Sequence, residues 1–233
     1  MGTLGAFWLG RIGYADGMAL MHGVARMRAE DEIDDTLLLL EHDHVYTLGR
    51  RATAADILLD ESALAARGIA VAETDRGGLV TYHGPGQLVG YPVLDLGPLA
   101  GPAAYVATLE RAIVDTLAGF GIRAGTIDGS RGAWVGDAKI AAIGVHVSKG
   151  ITTHGFALNV DPDLSMFQGI VPCGITDKRV TSLAEATGSR VPVTLVAKRA
   201  ARALAAQLDR ALNWPGASAL DRARPAADEV RHG

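Results

Sequence analysis

The chain has 233 residues, 48% hydrophobic and 21% charged, with a formal net charge of -4. That length buries one sizeable core without staples, and scattered basic residues in a mildly acidic chain lack the positive stripe that nucleic acid requires. No apolar run approaches the roughly 20 residues that span a bilayer, no basic-then-apolar leader opens the chain, and a lone cysteine cannot close an intrachain disulfide. A cytoplasmic location is therefore expected, with no membrane partner.

Tyr14 to Glu30 places Met18, Met21, Val24 and Ala25 at helical spacing and leads into the acidic connector Asp31-Glu32-Ile33-Asp34-Asp35. Thr36 to Leu40 and Val45 to Leu48 read as strands, and Glu61 to Arg67 as a short helix closed by Gly68. Leu79 to His83 and Leu88 to Leu94 read as a hairpin joined by Gly84-Pro85-Gly86-Gln87. Tyr105, Leu109, Ala112, Ile113, Thr116 and Leu117 mark a second helix, ended by Gly119 and Gly121. Ala138 to Val147 and Thr152 to Val160 form another hairpin around Ser148-Lys149-Gly150, and Val191 to Leu212 a third helix. Connections between the central strands are too short for crossover helices, so the expected class is α/β (α+β), a mixed, largely antiparallel sheet flanked by helices. One domain over residues 1–214 and a flexible tail over 215–233 complete the expectation.

Chemistry concentrates in the centre. Cys173 stands in Val171-Pro172-Cys173-Gly174-Ile175, where proline restricts the backbone and glycine leaves one side open. A lone cysteine is more often a small buried hydrophobe than a nucleophile, but this turn suits a presented thiol. Alternation puts Lys139 on one face with Ala141, Ile143, Val145 and Val147. In the next strand it puts Thr152, His154, Phe156, Leu158 and Val160 on one face and the small Thr153, Gly155, Ala157 and Asn159 on the other, which leaves room for a ligand. The glycines at 84, 86 and 90 fit neither a phosphate loop nor a dinucleotide fingerprint. His42-Asp43-His44 alternates faces with no further ligand in register, so no metal is expected.

Four blocks then resemble a known family. Arg76-Gly77-Gly78-Leu79-Val80-Thr81-Tyr82-His83-Gly84-Pro85-Gly86-Gln87-Leu88-Val89-Gly90-Tyr91-Pro92, Gly136-Asp137-Ala138-Lys139-Ile140-Ala141-Ala142-Ile143-Gly144, Thr153-His154-Gly155-Phe156-Ala157-Leu158-Asn159-Val160 and Pro172-Cys173-Gly174 are closely similar, in order, to the bacterial octanoyltransferases of protein lipoylation. With Tyr46-Thr47-Leu48-Gly49-Arg50 the resemblance runs over about residues 40 to 185. It implies the fold of the biotin and lipoate protein ligases and a cytosolic lipoyl(octanoyl) transferase. Such an enzyme moves an octanoyl group from acyl carrier protein to a lysine on the lipoyl domains of 2-oxoacid dehydrogenase E2 subunits and of the glycine cleavage H protein. By motif, Cys173 is the acyl-thioester nucleophile and Lys139 its activator, while Arg76 to His83, Ala142 to Gly144 and Gly155 to Ala157 line the acyl site. His154, Asn159 and Tyr91 are supporting candidates, and Arg50, Arg51, Arg131, Lys149, Lys178 and Arg179 a docking patch. No ATP, metal or other cofactor is implied. A free thiol of pKa about 8.5 is only a few per cent thiolate at neutral pH, and a lysine cation favours the ionised form. Departures from the family pattern fall at Asp43 and at Ser130-Arg131-Gly132. An ATP-dependent ligase, a carrier-binding scaffold and a thioesterase are the rival readings.

Overall fold

The structure, a computed structural model, describes residues 2–97, 101–171 and 179–224. Its elements run β1 (Gly2–Ile12), α1 (Tyr14–Ala29), β2 (Asp35–His42), β3 (Val45–Leu48), α2 (Glu61–Ala66), β4 (Ala70–Glu73), β5 (Val80–His83) and β6 (Gln87–Val93). There follow α3 (Pro102–Ala118), β7 (Gly125–Ile127), β8 (Ser130–Val135), β9 (Ala138–Ser148), β10 (Ile151–Asn159), α4 (Leu183–Thr187), α5 (Val193–Gln207) and β11 (Arg210–Asn213).

Eight strands form the main sheet in the order β11-β1-β2-β6-β10-β9-β8-β7, and β4-β3-β5 form a small second sheet. β1 pairs in parallel with β2 and β11, whereas β2, β6, β10, β9, β8 and β7 pair antiparallel. Helices α3 and α5 cover one face, where Leu109, Ile113, Leu117, Val196 and Leu204 pack on Leu37, Leu39, Leu88 and Leu158. The 3.6-residue apolar stripe of α3 drives this layer by taking its side chains out of water. Helix α1 covers the other face through Leu20, Met21, Val24 and Met27, which pack on Leu38, Leu40, Val89 and Tyr91. A third, smaller core behind the second sheet gathers Tyr46, Tyr82, Val80 and Phe167. At the end of α1 an ion cluster ties three segments together. Asp35, 7% exposed, accepts from Arg28 Nε at 3.0 Å, from Arg210 Nε at 3.2 Å and from the Asp95 N–H at 3.1 Å. No helix among the described residues is long and apolar enough to cross a membrane.

The mixed sheet and its helices agree with the sequence expectation, and so does the hairpin β9–β10, whose turn residues Lys149 and Gly150 both take positive φ (50° and 84°) as a two-residue turn requires. Three expectations are corrected. β5 and β6 are not a hairpin: β5 pairs with β3, and β6 with β2 and β10. Every residue of β6 is buried, so it belongs at the centre of the large sheet, and the turn is instead strapped to the end of β10 by the Asp161 N–H bond to the Gly86 carbonyl (2.9 Å). The last helix ends at Gln207, because Asp209 (φ 52°) reverses the chain and Arg210–Asn213 joins β1. Nor is the segment after Pro215 all tail. Residues 217–223 form a 3-10 helix whose Leu220 is fully buried in the α1 core.

Candidate active site

The two sheets enclose a cleft of about 1090 Å³, walled by β9 and β10 and roofed by the loop 74–79. That loop is strapped on both sides: the Gly77 N–H donates to the Val145 carbonyl on β9 (3.0 Å), and the Arg50 N–H donates to the Arg76 carbonyl (3.1 Å). Arg76 is itself buried, and its Nη2 donates to the carbonyl and hydroxyl oxygens of Thr47, both at 2.7 Å. Its guanidinium therefore pins the roof to β3 with charge-assisted bonds.

Gly155 and Gly144 stand opposite one another in the β10–β9 ladder. A Cβ on Gly144 would lie 2.9 Å from the Gly77 carbonyl oxygen, and one on Gly155 would collide with the Gly90 carbonyl and the Pro92 ring. The missing side chains thus admit the roof loop and β6 rather than leaving empty space for a ligand, which amends the sequence reading of this face.

His154 also departs from strand alternation. Its φ of 56° carries the ring to the α1 side, near His22 and Tyr91, while Phe156, Leu158 and Val160 enter the opposite core. There His154 Nε2–H donates to Asp75 Oδ1 at 2.7 Å, and His146 Nε2 lies 3.7 Å from Asp75 Oδ2. Burial lowers the pKa of His154 despite that carboxylate. For Asp75, burial acts upward but is outweighed by the bond from His154 and the neighbouring histidines, so its pKa falls.

Lys139 likewise leaves its expected face. A bulge pairs Ala133 with Ala141 but Trp134 with Lys139, so Ile140 and Ala141 both enter the α3–α5 core and Lys139 turns to the other side. Its ammonium lies 4.8 Å from the centre of the Trp134 ring, a cation–π distance. Its backbone is held from both directions, N–H to the Arg179 carbonyl (2.8 Å) and carbonyl to the Thr181 N–H (2.9 Å).

Deeper in the cleft, His83 Nδ1 lies 2.7 Å from Gln87 Oε1, and Gln87 Nε2 donates to the Tyr82 carbonyl (3.1 Å) and to Asn159 Oδ1 (2.9 Å). Asn159 Nδ2 donates onward to the Thr181 carbonyl at 3.0 Å. Burial and the adjacent His42 ring pull the pKa of His83 down to about 3. His42, between the Ile12 carbonyl (3.0 Å) and the Tyr91 hydroxyl (2.7 Å), is lowered by burial to about 4.

Of the residues singled out from sequence, Arg76 to Thr81, His83, Tyr91, Lys139, Ala142 to Gly144, His154 to Ala157 and Asn159 all border the cleft. Tyr82 does not: its hydroxyl meets His44 Nδ1 at 2.8 Å and its ring packs on Phe167. Cys173 and Lys178 lie outside the described residues. Tyr14, Gln87 and His146 also border the cleft, with Asp75 beside His146, and none of the four is among the residues singled out from sequence. Gln87 had a signal, since it closes the His83-Gly84-Pro85-Gly86-Gln87 block. The others are joined only by the tertiary fold. Among the described residues no group of three or more His, Cys, Asp or Glu is placed to hold a metal ion.

The architecture defines a class. A lipoate protein ligase from Thermoplasma acidophilum superposes with a TM-score of 0.75 at 21% identity, covering 96% of this chain and 91% of that one. The biotin protein ligase of Aquifex aeolicus does so at 0.52 and 15%, covering 90% and 70%. This is the fold of the lipoate and biotin ligase catalytic domains. The family model described as the lipoyl protein ligase A/B catalytic domain matches residues 13–205, and the octanoyltransferase of Solibacter usitatus is 52% identical over 211 residues, 90% of this chain and 94% of that protein. The chain belongs to the lipoyl protein ligase A/B catalytic-domain family, in its octanoyltransferase branch.

Proposed function

We infer that this chain is a lipoyl(octanoyl) transferase that moves an octanoyl group from acyl carrier protein to a lysine of lipoyl domains, through an acyl thioester on Cys173. The observation that carries this reading is the match, over nine-tenths of the chain, to an octanoyltransferase at 52% identity. The geometry of Lys139 supports it. This lysine borders the cleft and its backbone is bonded to Arg179 and Thr181, just beyond the segment that carries Cys173. On the near side of that segment the Val171 N–H bonds the Asp56 carbonyl (2.9 Å), so the described residues on both flanks are hydrogen-bonded to the body of the protein.

In the first half-reaction the Cys173 thiolate attacks the carrier's thioester carbonyl. A carbon–sulfur bond forms, the carrier's sulfur leaves, and Lys139 supplies its proton. In the second, the acceptor amine attacks the acyl-Cys173 carbonyl, an amide forms, the Cys173 thiolate leaves, and the amine's proton returns to Lys139. One thioester is exchanged for another before the amide forms, so neither ATP nor a metal is called for. The acceptors we assign are the lipoyl domains of 2-oxoacid dehydrogenase E2 subunits and the glycine cleavage H protein, in the cytoplasm. Arg50, Arg51 and Arg131, exposed at the cleft, suit acidic carrier domains.

The test is an intact-mass measurement with octanoyl acyl carrier protein and no ATP, followed by addition of a lipoyl domain. The reading expects an octanoyl adduct on Cys173 that moves to the acceptor lysine. Acceptor modification only with free octanoate and ATP would make the chain a ligase, and release of free octanoate without acceptor a thioesterase. Lys139→Met is expected to slow transfer about a hundred- to ten-thousandfold.

A further inference from the structure

His83 is 7% exposed and borders the cleft. Two backbone carbonyls determine where its proton sits. The Tyr82 carbonyl can only accept, so the Gln87 atom 3.1 Å from it is the amide nitrogen. The Thr181 carbonyl likewise fixes the Asn159 atom 3.0 Å away as its amide nitrogen, which leaves Asn159 Oδ1 to accept the second Gln87 hydrogen. Both Gln87 hydrogens are then used, and Gln87 Oε1 accepts from His83 Nδ1–H at 2.7 Å. His83 Nε2 has no hydrogen-bond partner among the described residues, and His83 lines the cleft. The rings that face His83, Tyr14 from α1 and His42 from β2, lie 6.4 and 6.0 Å away between centroids.

We propose that Gln87 is a positioning residue that holds His83 as the neutral Nδ1–H tautomer, so that Nε2 faces the cleft as an acceptor for an N–H group of bound substrate. The inference rests on the transferase reading and adds a residue that acts through His83. Substrate offers two N–H sources, an amide of the donor's pantetheine arm and the amine of the acceptor lysine. An imidazole locked with its lone pair outward binds either one and repels a carbonyl. Were the proton on Nε2, the same ring would do the reverse. Burial first of all favours the neutral form, and a proton on His42, the Arg76 guanidinium or a proton on His154 would each add to the cost of a second proton on His83.

Imidazole 15N spectra of the full-length wild type and of Gln87→Met, each followed by single-turnover measurement of the two half-reactions, test this. The wild type is expected to show His83 protonated at Nδ1 and bare at Nε2 near neutral pH. Gln87→Met removes the acceptor, releases the proton to Nε2 and slows one half-reaction about tenfold, the scale of one hydrogen bond. Slowed acyl-enzyme formation assigns the pantetheine amide, and slowed transfer to the lipoyl domain the lysine amine. A wild-type His83 protonated at Nε2 or at both nitrogens overturns the proposal, as does a tautomer shift in Gln87→Met that leaves both half-reactions unchanged. The wild-type spectrum decides the tautomer even if Gln87→Met does not fold, and it is independent of whether an acyl-enzyme forms.

Discussion

Acidification from pH 7 to pH 5 is expected to destabilise this protein by roughly 4 kcal/mol, through two buried histidines. In the unfolded chain both rings take up a proton near pH 6.5, their ordinary value. In the folded protein burial holds His42 down to about 4, and burial with the neighbouring His42 ring holds His83 down to about 3. Over that interval the unfolded chain binds about two more protons than the fold, so stability is present above pH 6.5 and is lost as pH falls. Each group contributes about 1.4 kcal/mol per pH unit once the unfolded ring is protonated, which sums to about 4 kcal/mol by pH 5. His154, also lowered by burial, acts in the same direction. Asp60, Asp75 and Asp163 have lowered pKa values, and their stabilisation is lost only at lower pH, so the range above about pH 5 isolates the histidines. Urea unfolding at stepped pH between about 7 and 5 gives the free energy directly, and His83→Gln should roughly halve the slope. A stability constant to within about 1 kcal/mol over this range would refute the assignment of both rings as buried and neutral.

Asp35→Ala should cost about 3–5 kcal/mol, because it strips a buried carboxylate from Arg28 and Arg210; thermal unfolding with the reaction rate at 25 °C as control checks it. Gly155→Ala places a methyl against the Gly90 carbonyl and Pro92, and is expected to lower stability by about 1–3 kcal/mol or more and to slow octanoyl transfer by parting β10 from β6. Leu220→Ala empties a fully buried position beneath α1 and should cost about 2–5 kcal/mol. A change under about 1 kcal/mol in denaturant would show that residues 217–223 do not cap this core.

Local chemistry made some elements legible. The α3 helix could be placed because its apolar stripe repeats at the helical period, and the β9–β10 turn because Lys149-Gly150 is compatible with positive φ. β1 (Gly2–Ile12) carries no comparable local signal, and the residues of the edge strand β11 continue the apolar pattern of the preceding helix, since a parallel edge strand is specified by its distant partner rather than by its own residues. The false hairpin has the same origin. Gly84-Pro85-Gly86-Gln87 does turn the chain, but nothing local says that the two flanking strands enter different sheets.

The family blocks brought Arg76, His83, Lys139 and Asn159 into view as types and spacings, because the chemistry of acyl transfer requires particular functional groups and those are written one residue at a time. Where those groups point was decided by the tertiary fold. A single positive φ moved His154 across the sheet and onto Asp75, and a one-residue bulge turned Lys139 away from the core. Strand alternation is a rule of period two, and an irregular residue breaks it locally: His154 and Lys139 leave their faces, while Phe156, Leu158 and Val160 and Ile143, Val145 and Val147 keep theirs. The protonation of His83 lies further still from the sequence, since it depends on two amides and two carbonyls from four separate segments meeting within hydrogen-bond distance.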